Sequence, residues 1–491
     1  MILALILIPM LAGAAAFALR WAWARRALLV AASVVHAGLT IRVWVHRPTP
    51  ALGDWLMLDD AGLLFLSLTS ALFLAGAIYA VGYLSHEDGH SITDAEEGFL
   101  FDNAPESVFI GCLLLFLGSM TLVTVSQHFG LLWIGIEATT LASAPLIYFH
   151  RHHRSLEATW KYLMICSVGI ALALLGNFFL SVAASRTGQP VLSLELDVLT
   201  EHAKELHVPW LKAAFLLLLV GYGTKMGLAP LHTWLPDAHS ESPSVISAML
   251  SGALLNCAFL GILRIQQVSV AAGQGAFGQE LLLGFGLVSM AVAAVFILGQ
   301  TDYKRLLAYS SVEHMGILSL GIGLGGAASF GALLHAVNHS LTKAMLFLVA
   351  GNILAVFQTK SIAQVRGLLQ ALPVTGVLWV AGFLAITGSP PFGVFLSEFT
   401  ILKAAFDLGH PWVGGFYLLL LALIFIGMAT CFLRMAQGTP LSPISGSKGR
   451  NSWPILAPPL VLGACVLVLG LYVPGFLDQL LRGAAKALGE F

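Results

Sequence analysis

The stretch GYGTKMGLAPLHTWLPDA, residues 221–238, decides the fold class because it puts a charge and a helix-breaking proline into one apolar segment. Lys225 lies five residues before Pro230. A proline inside a membrane helix frees backbone polar groups, and such a break is tolerated at membrane depth only where protein or water covers it. The stretch therefore predicts a discontinuous membrane helix beside a buried lysine.

A later stretch repeats this combination. In ITGSPPFGVFLSEF, residues 386–399, Glu398 follows the proline pair Pro390–Pro391 by seven residues. Interrupted helices at corresponding positions of two halves indicate the site of a transporter built from an internal repeat. We therefore predict such a repeat, with two ordinary proline kinks as the alternative.

The composition is that of a polytopic membrane protein. Of 491 residues, 58% are hydrophobic and only 10% are charged, and the mean hydropathy is +0.88. Soluble domains carry roughly 25% charged residues. The net charge of −1 provides no basic field for a polyanion. Soluble enzymes and nucleic-acid-binding proteins are therefore excluded.

Apolar segments of spanning length recur along the chain and predict an all-α polytopic fold with about fourteen transmembrane helices. They cover roughly 2–19, 27–45, 62–84, 107–125, 128–149, 155–181, 210–232, 243–265, 280–300, 303–322, 327–356, 374–405, 413–436 and 453–473. With the N-terminus outside, about twelve of the 24 Lys and Arg residues fall in cytoplasmic loops and about eight in outer loops. This distribution favours an outside N-terminus.

The cysteines and histidine runs predict no metal site in this chain. The five cysteines all lie in apolar segments without a C-x-x-C pair, which excludes a disulfide framework and a zinc or iron–sulfur site. The run HRHHR, residues 150–154, is a basic turn with no ligand geometry to close a site.

A buried acid marks the fifth segment. Glu137 lies near the middle of HFGLLWIGIEATTLASAPL, residues 128–146. A charge at mid-bilayer costs about 2.5–3.5 kcal/mol on insertion scales and usually faces a protein interior or a water path. If its helix neighbours that of Lys225, the two side chains form a proton-storing pair, since burial favours neutral lysine and a carboxylate favours the ammonium form. A hydrogen-bonded carboxyl that only fixes packing is the alternative.

A titratable stripe lies between the two breaks. His335, His339 and Lys343 follow one another at steps of four residues, on one face of a helix, and His314 precedes them in YSSVEHMG. Histidine takes up and releases protons near neutral pH, so the stripe predicts a proton relay. Hydrogen bonding between helices is the alternative role of each histidine.

Weaker candidates surround the first break. His232, Asp237 and His239 follow it and predict either a polar cytoplasmic entrance or a helix cap. Lys161, in the sixth segment, is assigned to the same auxiliary pathway.

The segments GYGTKMGLAPLHTWLPDAHSESPSVISAMLSG, DYKRLLAYSSVEHMG and SPPFGVFLSEF resemble the antiporter-like, proton-translocating subunits of respiratory complex I, Mrp antiporters and membrane-bound hydrogenases. The segments LWIGIEATTLASAPL, SLEATWKYLMICSVGIALAL and LLNCAFLGILR most resemble hydrogenase-4 component F of the formate hydrogenlyase type. The resemblance covers about residues 100–440.

The resemblance implies two inverted five-helix repeats, each with one broken helix. It divides the chain into an N-terminal part of three helices and an acidic loop, a first repeat of helices 4–8, a second repeat of helices 9–13, and a last helix with its tail. These parts cover residues 1–106, 107–265, 280–436 and 437–491.

The functional positions of the family match residues that the cost of burying a charge already selects. They match Glu137, Lys225, His314, His339, Lys343 and Glu398. One position departs: Asn256 stands in LLNCAFLG where the complex I branch has lysine or histidine. Asparagine supports hydrogen-bonded water but cannot store a charge, so Asn256 is a weak link between the two half-channels.

The resemblance further implies a proton- or Na⁺-translocating membrane-arm subunit of a redox complex such as a group 4 [NiFe]-hydrogenase or formate hydrogenlyase, in the bacterial cytoplasmic membrane. No catalytic residue or cofactor is expected in this chain, and NiFe and iron–sulfur centres are expected in partner subunits. An Mrp-like secondary cation/proton antiporter subunit, a complex I antiporter-like subunit and an inactive structural anchor stay open.

Overall fold

The computed structural model describes residues 1–86, 92–93, 100–185, 192–440 and 452–489, and most of these residues are helical. The helices in chain order are α1 (Ile2–Ala18), α2 (Ala22–Val45), α3 (Asp60–His86), α4 (Glu106–Val125), α5 (Phe129–Ile147), α6 (His153–Ala183), α7 (Leu196–Glu201), α8 (Val208–Met226), α9 (Trp234–Glu241), α10 (Ser244–Met249), α11 (Leu255–Ala271), α12 (Gly275–Leu298), α13 (Tyr303–Leu324), α14 (Ala327–Phe357), α15 (Leu368–Ala371), α16 (Pro373–Ile386), α17 (Gly393–Asp407), α18 (Pro411–Ala436), α19 (Trp453–Leu471) and α20 (Gly475–Lys486).

Within the described ranges, ten helices are long and apolar enough to cross a membrane. One of them joins α10 and α11 through a π-helical turn, Leu250–Leu254, into a continuous segment. Between α3 and α4, the two-residue strands Ile92–Thr93 and Leu100–Phe101 pair antiparallel. The prediction of an all-helical membrane fold is confirmed. Part of the predicted acidic loop, residues 86–106, lies outside the described residues.

The first proline stretch interrupts a helix. α8 ends at Met226 and is capped by Gly227, whose φ of +85° is left-handed and where a Cβ would clash with the Leu235 side chain. α9 begins at Trp234, seven residues after Gly227. Side chains form hydrogen bonds with backbone groups that the break leaves without helix partners. Ala229 N–H donates to Ser289 Oγ at 2.9 Å, and the Thr224 carbonyl accepts from Trp234 Nε1 at 2.8 Å. Protein therefore covers the break, as membrane depth requires.

The second proline stretch also interrupts a helix, between α16 and α17. Gly388 in this break has a φ of +62°, and a Cβ there would overlap Glu398 Oε2. The Glu398 carboxylate on α17 therefore lies directly against the break. On the other side, Asn338 of α14 donates to the Gly393 carbonyl at 2.8 Å, so α14 braces the start of α17.

Candidate functional site

The Lys225 ammonium group is fully buried where three helices converge. Its Nζ donates to Thr140 Oγ1 on α5 at 2.7 Å and to the Tyr162 hydroxyl on α6 at 2.6 Å. The same atom lies 4.5 Å from the centroid of the Tyr162 ring. Tyr162 in turn shares a hydrogen bond of 2.7 Å with Ser143 Oγ. Thr140 and Tyr162 carry no charge, so no argument from buried charge identified them.

Glu137 lies one turn before Thr140 on α5 and is half-buried. The Thr140 side chain lies close to its carboxylate, and the charges of Glu137 and Lys225 act on each other. Its Oε2 atom is buried without a hydrogen-bond partner in the described part of the chain. Leu141 on the same helix is 63% exposed, so Glu137 sits near the outer surface of the helix array. The structure thus brings the predicted pair together through Thr140.

Lys343 lies in a second buried cluster, between α13 and α14. Its Nζ donates to the Leu307 carbonyl at 2.6 Å and to Ser310 Oγ at 2.7 Å. Glu313 on α13 is 2% exposed, and its charge acts on Lys343. The sequence analysis missed Glu313, although the cost of burying a charge applies to it as it does to Glu137.

The predicted histidines adjoin Lys343 in a linked chain. His314 Nδ1 and His335 Nε2 share a hydrogen bond of 2.8 Å, and His335 Nδ1 and Ser397 Oγ share one of 2.9 Å. The rings of His314 and His339 have centroids 5.0 Å apart. All three histidines are fully buried, and neither ring nitrogen of His339 has a hydrogen-bond partner among the described residues. The ring nitrogens of His339 are therefore available to accept and donate protons.

Glu398 ends this chain beside the second break. One ligand atom each of Glu398, His314 and His335 lies within 4.8 Å of the others. In the described residues these three form the one group of His, Cys, Asp and Glu side chains spaced to hold a metal ion. The hydrogen bond between the two imidazoles already joins two of the three side chains, an arrangement suited to passing a proton. The charge of Glu313 also acts on Glu398.

Asn256 lies in α11 directly after the π-helical turn. Its Nδ2 donates to Ser340 Oγ on α14 at 2.7 Å and to the Gly252 carbonyl at 2.9 Å. Asn256 therefore joins α11 to α14 by a buried hydrogen bond.

The predicted entrance residues divide into two groups. Asp237 on α9 forms ion pairs with Arg305 and, at 2.8 Å, with Lys161, which is itself half-exposed. His232 is buried in the first break, and its ring centroid lies 6.2 Å from that of Tyr309. His239 lies apart from them, fully buried between the aromatic rings of Trp234 and Phe347. The structure therefore brings Lys161 and Asp237 together at a surface, and places His239 deeper.

A further ion-pair network beside this entrance was not anticipated. Lys360 pairs with Glu241 at the end of α9 at 2.7 Å, and buried Lys304 donates to the Ser242 carbonyl at 2.6 Å. Burial alone raises the pKa of Glu241, but the charge and hydrogen bond of Lys360 outweigh it and lower this pKa to about 2. Glu241 is therefore ionised at neutral pH and holds the loop after α14 against α9.

Comparison with known proteins gives consistent matches. The family model described as NADH:quinone oxidoreductase/Mrp antiporter, transmembrane, matches residues 126–425. A hydrogenase-4 component F homolog of Methylacidiphilum infernorum is 41% identical over 359 residues, covering 72% of this chain and 73% of that protein. The NADH-quinone oxidoreductase subunit N of Desulforudis audaxviator is 27% identical over 460 residues, covering 90% of this chain and 87% of that protein.

Among solved structures, a chain of the membrane-bound sulfane sulfur reductase, an archaeal respiratory membrane complex, has a TM-score of 0.85. It is 20% identical and covers 100% of this chain and 98% of its own length. At this identity the likeness establishes the fold.

Proposed function

The chain belongs to the NADH:quinone oxidoreductase/Mrp antiporter transmembrane family, and from that premise we propose that it is a proton-translocating subunit in the membrane arm of a multisubunit redox complex. The observation that carries the proposal is the pair of buried titratable clusters, one around Lys225 and one running from Lys343 through the histidines to Glu398. Burying so many ionisable groups in apolar helices is costly, and ion translocation explains why they are there.

In this proposal the chain has fourteen spanning helices, arranged as two inverted five-helix repeats within residues 107–265 and 280–436. The two interruptions, α8 to α9 and α16 to α17, support this layout, since each repeat would contain one broken helix. The N-terminus lies outside, and the membrane is the bacterial cytoplasmic membrane.

Protons enter from the cytoplasmic side near the Lys161–Asp237 pair and reach Lys225. They then cross to His339 and Lys343 and leave past Glu398. Glu137 receives the driving signal, because it lies near the outer surface of the chain and its charge acts on Lys225. A redox event in a partner that changes the charge or position of Glu137 changes whether Lys225 holds its proton.

The proposed ion is the proton rather than Na⁺. The second cluster presents imidazole and ammonium groups, whereas hard cations prefer sets of oxygen ligands. The proposed complex is a group 4 membrane-bound [NiFe]-hydrogenase or formate hydrogenlyase, with the NiFe and iron–sulfur centres in partner subunits. The hydrogenase-4 component F homolog supports this choice.

Two measurements test the proposal. The complex is purified gently through a tag on this chain and its subunits are identified by mass spectrometry; hydrogenase-like and iron–sulfur subunits are expected. Recovery of the chain with antiporter subunits alone would instead favour a secondary cation/proton antiporter.

Proton uptake by inverted membrane vesicles is then compared for the wild type and a Glu137→Gln/Lys225→Ala double variant. Lys403→Ala is the matched control, because Lys403 is exposed on α17 and pairs only with Asp407 among the described residues. The double variant is expected to lose uptake and the control to keep it. Uptake retained in the double variant would refute the proposal.

A further inference from the structure

Three buried side chains beside the second break have a spacing close to that of metal ligands. His314 on α13, His335 on α14 and Glu398 on α17 each contribute one ligand atom, and these atoms lie within 4.8 Å of one another. In a tetrahedral zinc site the ligand atoms lie about 3.3 Å apart, since bonds from zinc to nitrogen and oxygen are about 2.1 Å long. No pair of atoms therefore has to approach by more than about 1.5 Å to share one ion. The three residues lie on separate helices, so no local sequence motif joins them.

His335 is already held in the orientation of a metal ligand. Its Nδ1 lies 2.9 Å from Ser397 Oγ, which donates its own proton to the Val394 carbonyl at 2.8 Å. Ser397 Oγ therefore accepts from His335 Nδ1–H, and the lone pair of the neutral ring is on Nε2. This lone pair is directed into the group, toward His314 Nδ1 at 2.8 Å. A histidine that ligates a metal almost always donates its other ring nitrogen in this way, which fixes the tautomer and the ring orientation.

The other two side chains have buried polar atoms that lack partners. Glu398 is 6% exposed, and its Oε1 has no hydrogen-bond partner in the described part of the chain. Nε2 of the fully buried His314 makes no well-aligned hydrogen bond to a described residue, and the Ile386 carbonyl approaches the ring without reaching that geometry. A buried polar atom without a partner costs about 1–3 kcal/mol. An ion bound between the three side chains would offset part of this cost.

The three donor groups select the class of metal. Two imidazoles and one carboxylate form one of the ligand sets of zinc, in which a water molecule takes the fourth position. Mg²⁺ and Ca²⁺ prefer sets of oxygen ligands, and this group offers them one carboxylate. The group is therefore suited to Zn²⁺ and not to the common hard cations.

The group lies nearer to the proposed outer surface than Lys343 does. α13 and α14 meet at the Gly325–Gly326 turn, which is outside in the proposed fourteen-helix layout. His335 follows the start of α14 by eight residues, a rise of about 12 Å, whereas Lys343 follows it by sixteen residues, about 24 Å. An ion from the outside that follows the proposed exit path past Glu398 thus reaches His335 before Lys343.

We propose that His314, His335 and Glu398 bind a Zn²⁺ ion that enters from the outside and blocks the release of protons. The binding site rests on the geometry of the three side chains, whereas the block rests on the proposed function. The ion binds His335 Nε2, His314 Nδ1 and a Glu398 oxygen, and it replaces the hydrogen bond between the imidazoles. The His314 proton moves to Nε2, where the Ile386 carbonyl is an acceptor; the ligands supply lone pairs and no electrons are transferred.

Zinc content tests the site directly. The purified full complex is equilibrated with Zn²⁺ by dialysis, and its bound zinc is measured by elemental mass spectrometry. His335→Gln and Glu398→Gln are each expected to hold one zinc ion fewer than the wild type, whereas His335→Cys is expected to keep the ion because thiolates bind zinc. The matched control is His36→Gln, which removes a buried histidine whose nitrogens already bond Ser70 and Thr121. This control is expected to hold as much zinc as the wild type.

The block is tested in inverted membrane vesicles, whose lumen corresponds to the outside. Zn²⁺ is trapped in the lumen and EDTA is added to the medium, so that the metal does not reach the peripheral redox subunits. Luminal Zn²⁺ at about ten times its dissociation constant occupies about nine tenths of the sites, and proton uptake by the wild type is expected to fall about tenfold. Luminal Mg²⁺ at the same concentration is expected to leave uptake unchanged.

Equal zinc content in the wild type and the two glutamine variants would overturn the inference. If neither variant assembles, the wild type still decides, because unchanged uptake with a zinc-loaded lumen, or an equal fall with Mg²⁺, would also overturn it. The proposed function fails in a different way, through metal-free uptake that Lys225→Ala leaves unaffected.

Discussion

The Lys225 ammonium group donates a hydrogen bond of 2.7 Å to Thr140 Oγ1, one turn away from Glu137 on α5. This hydroxyl joins the residue proposed to receive the driving signal to the residue proposed to hold the proton. A change at Glu137 therefore reaches Lys225 by charge and through a shared neighbour.

Replacing Thr140 tests whether this hydroxyl couples the pair. Thr140→Val keeps the shape of the side chain but removes the Lys225 hydrogen bond, so we expect proton uptake per electron to fall at least about tenfold, as loss of a charge-assisted hydrogen bond of about 1.5–3 kcal/mol predicts. Thr139→Val is the control, because the Thr139 hydroxyl donates only to the Ile136 carbonyl of its own helix. Equal uptake in the two variants would contradict the coupling role.

Glu313 is expected to contribute to proton translocation as much as the buried charged residues that the sequence analysis selected. Glu313→Gln removes the carboxylate whose charge acts on both Lys343 and Glu398, so proton uptake in vesicles is expected to fall about tenfold. Glu280→Gln, on an exposed part of α12, removes one acid without touching the cluster and serves as the control. Normal uptake in Glu313→Gln would assign Glu313 a packing role.

The contact between Gly388 and Glu398 predicts a local defect in proton release. Gly388→Ala places a methyl group where Glu398 Oε2 lies, in a left-handed backbone with a φ of +62°. Both the strain, about 1–2 kcal/mol, and the displaced carboxylate are expected to reduce function. Gly409→Ala carries a similar strain, with a φ of +78°, but its Cβ meets nothing within 4 Å.

We therefore expect similar falls in melting temperature from the backbone strain of the two glycine variants and loss of proton uptake only in Gly388→Ala. Loss of uptake in Gly409→Ala as well would show that strain alone is responsible.

The ion pair between the buried Arg264 and the partly exposed Asp59 is expected to stabilise the fold more than an exposed pair nearby. Arg264 is 2% exposed and binds both Asp59 oxygens, at 2.5 and 2.7 Å. Arg264→Leu removes the charged partner of the Asp59 carboxylate and is expected to cost about 2 kcal/mol. Arg47→Leu breaks the exposed Arg47–Asp60 pair and is expected to cost at most about 1 kcal/mol. Thermal unfolding in detergent compares the two, and equal shifts would contradict this prediction.

The same ion pair predicts a dependence on pH. Burial raises the pKa of Asp59, but the charge and hydrogen bonds of Arg264 outweigh it and hold this pKa below its usual range. The stabilisation is therefore complete above the pKa of an unfolded aspartate, about 4, and is lost as the pH falls through the lower folded value. The difference in melting temperature between the wild type and Arg264→Leu is expected to be constant near neutral pH and to narrow below about pH 4.

The positions of the breaks and of three of the six buried charged residues were identified from the sequence. In an apolar chain each proline or ionisable residue inside a spanning segment is conspicuous, so Lys225, Lys343 and Glu398 were selected without a structure. Glu313 carried the same signal and was overlooked beside His314. Thr140 and Tyr162 carried none, because hydroxyl groups are common and inexpensive in membrane helices.

The sequence by itself determined that this protein is a helical membrane protein, where two helices break and which buried charges need a function, because hydrophobicity and proline act locally along the chain. The tertiary structure alone decided that Thr140 joins Glu137 to Lys225 and that His239 is buried between the rings of Trp234 and Phe347. These relationships depend on which helices pack together and how each is rotated, and that is set by contacts between residues distant in sequence.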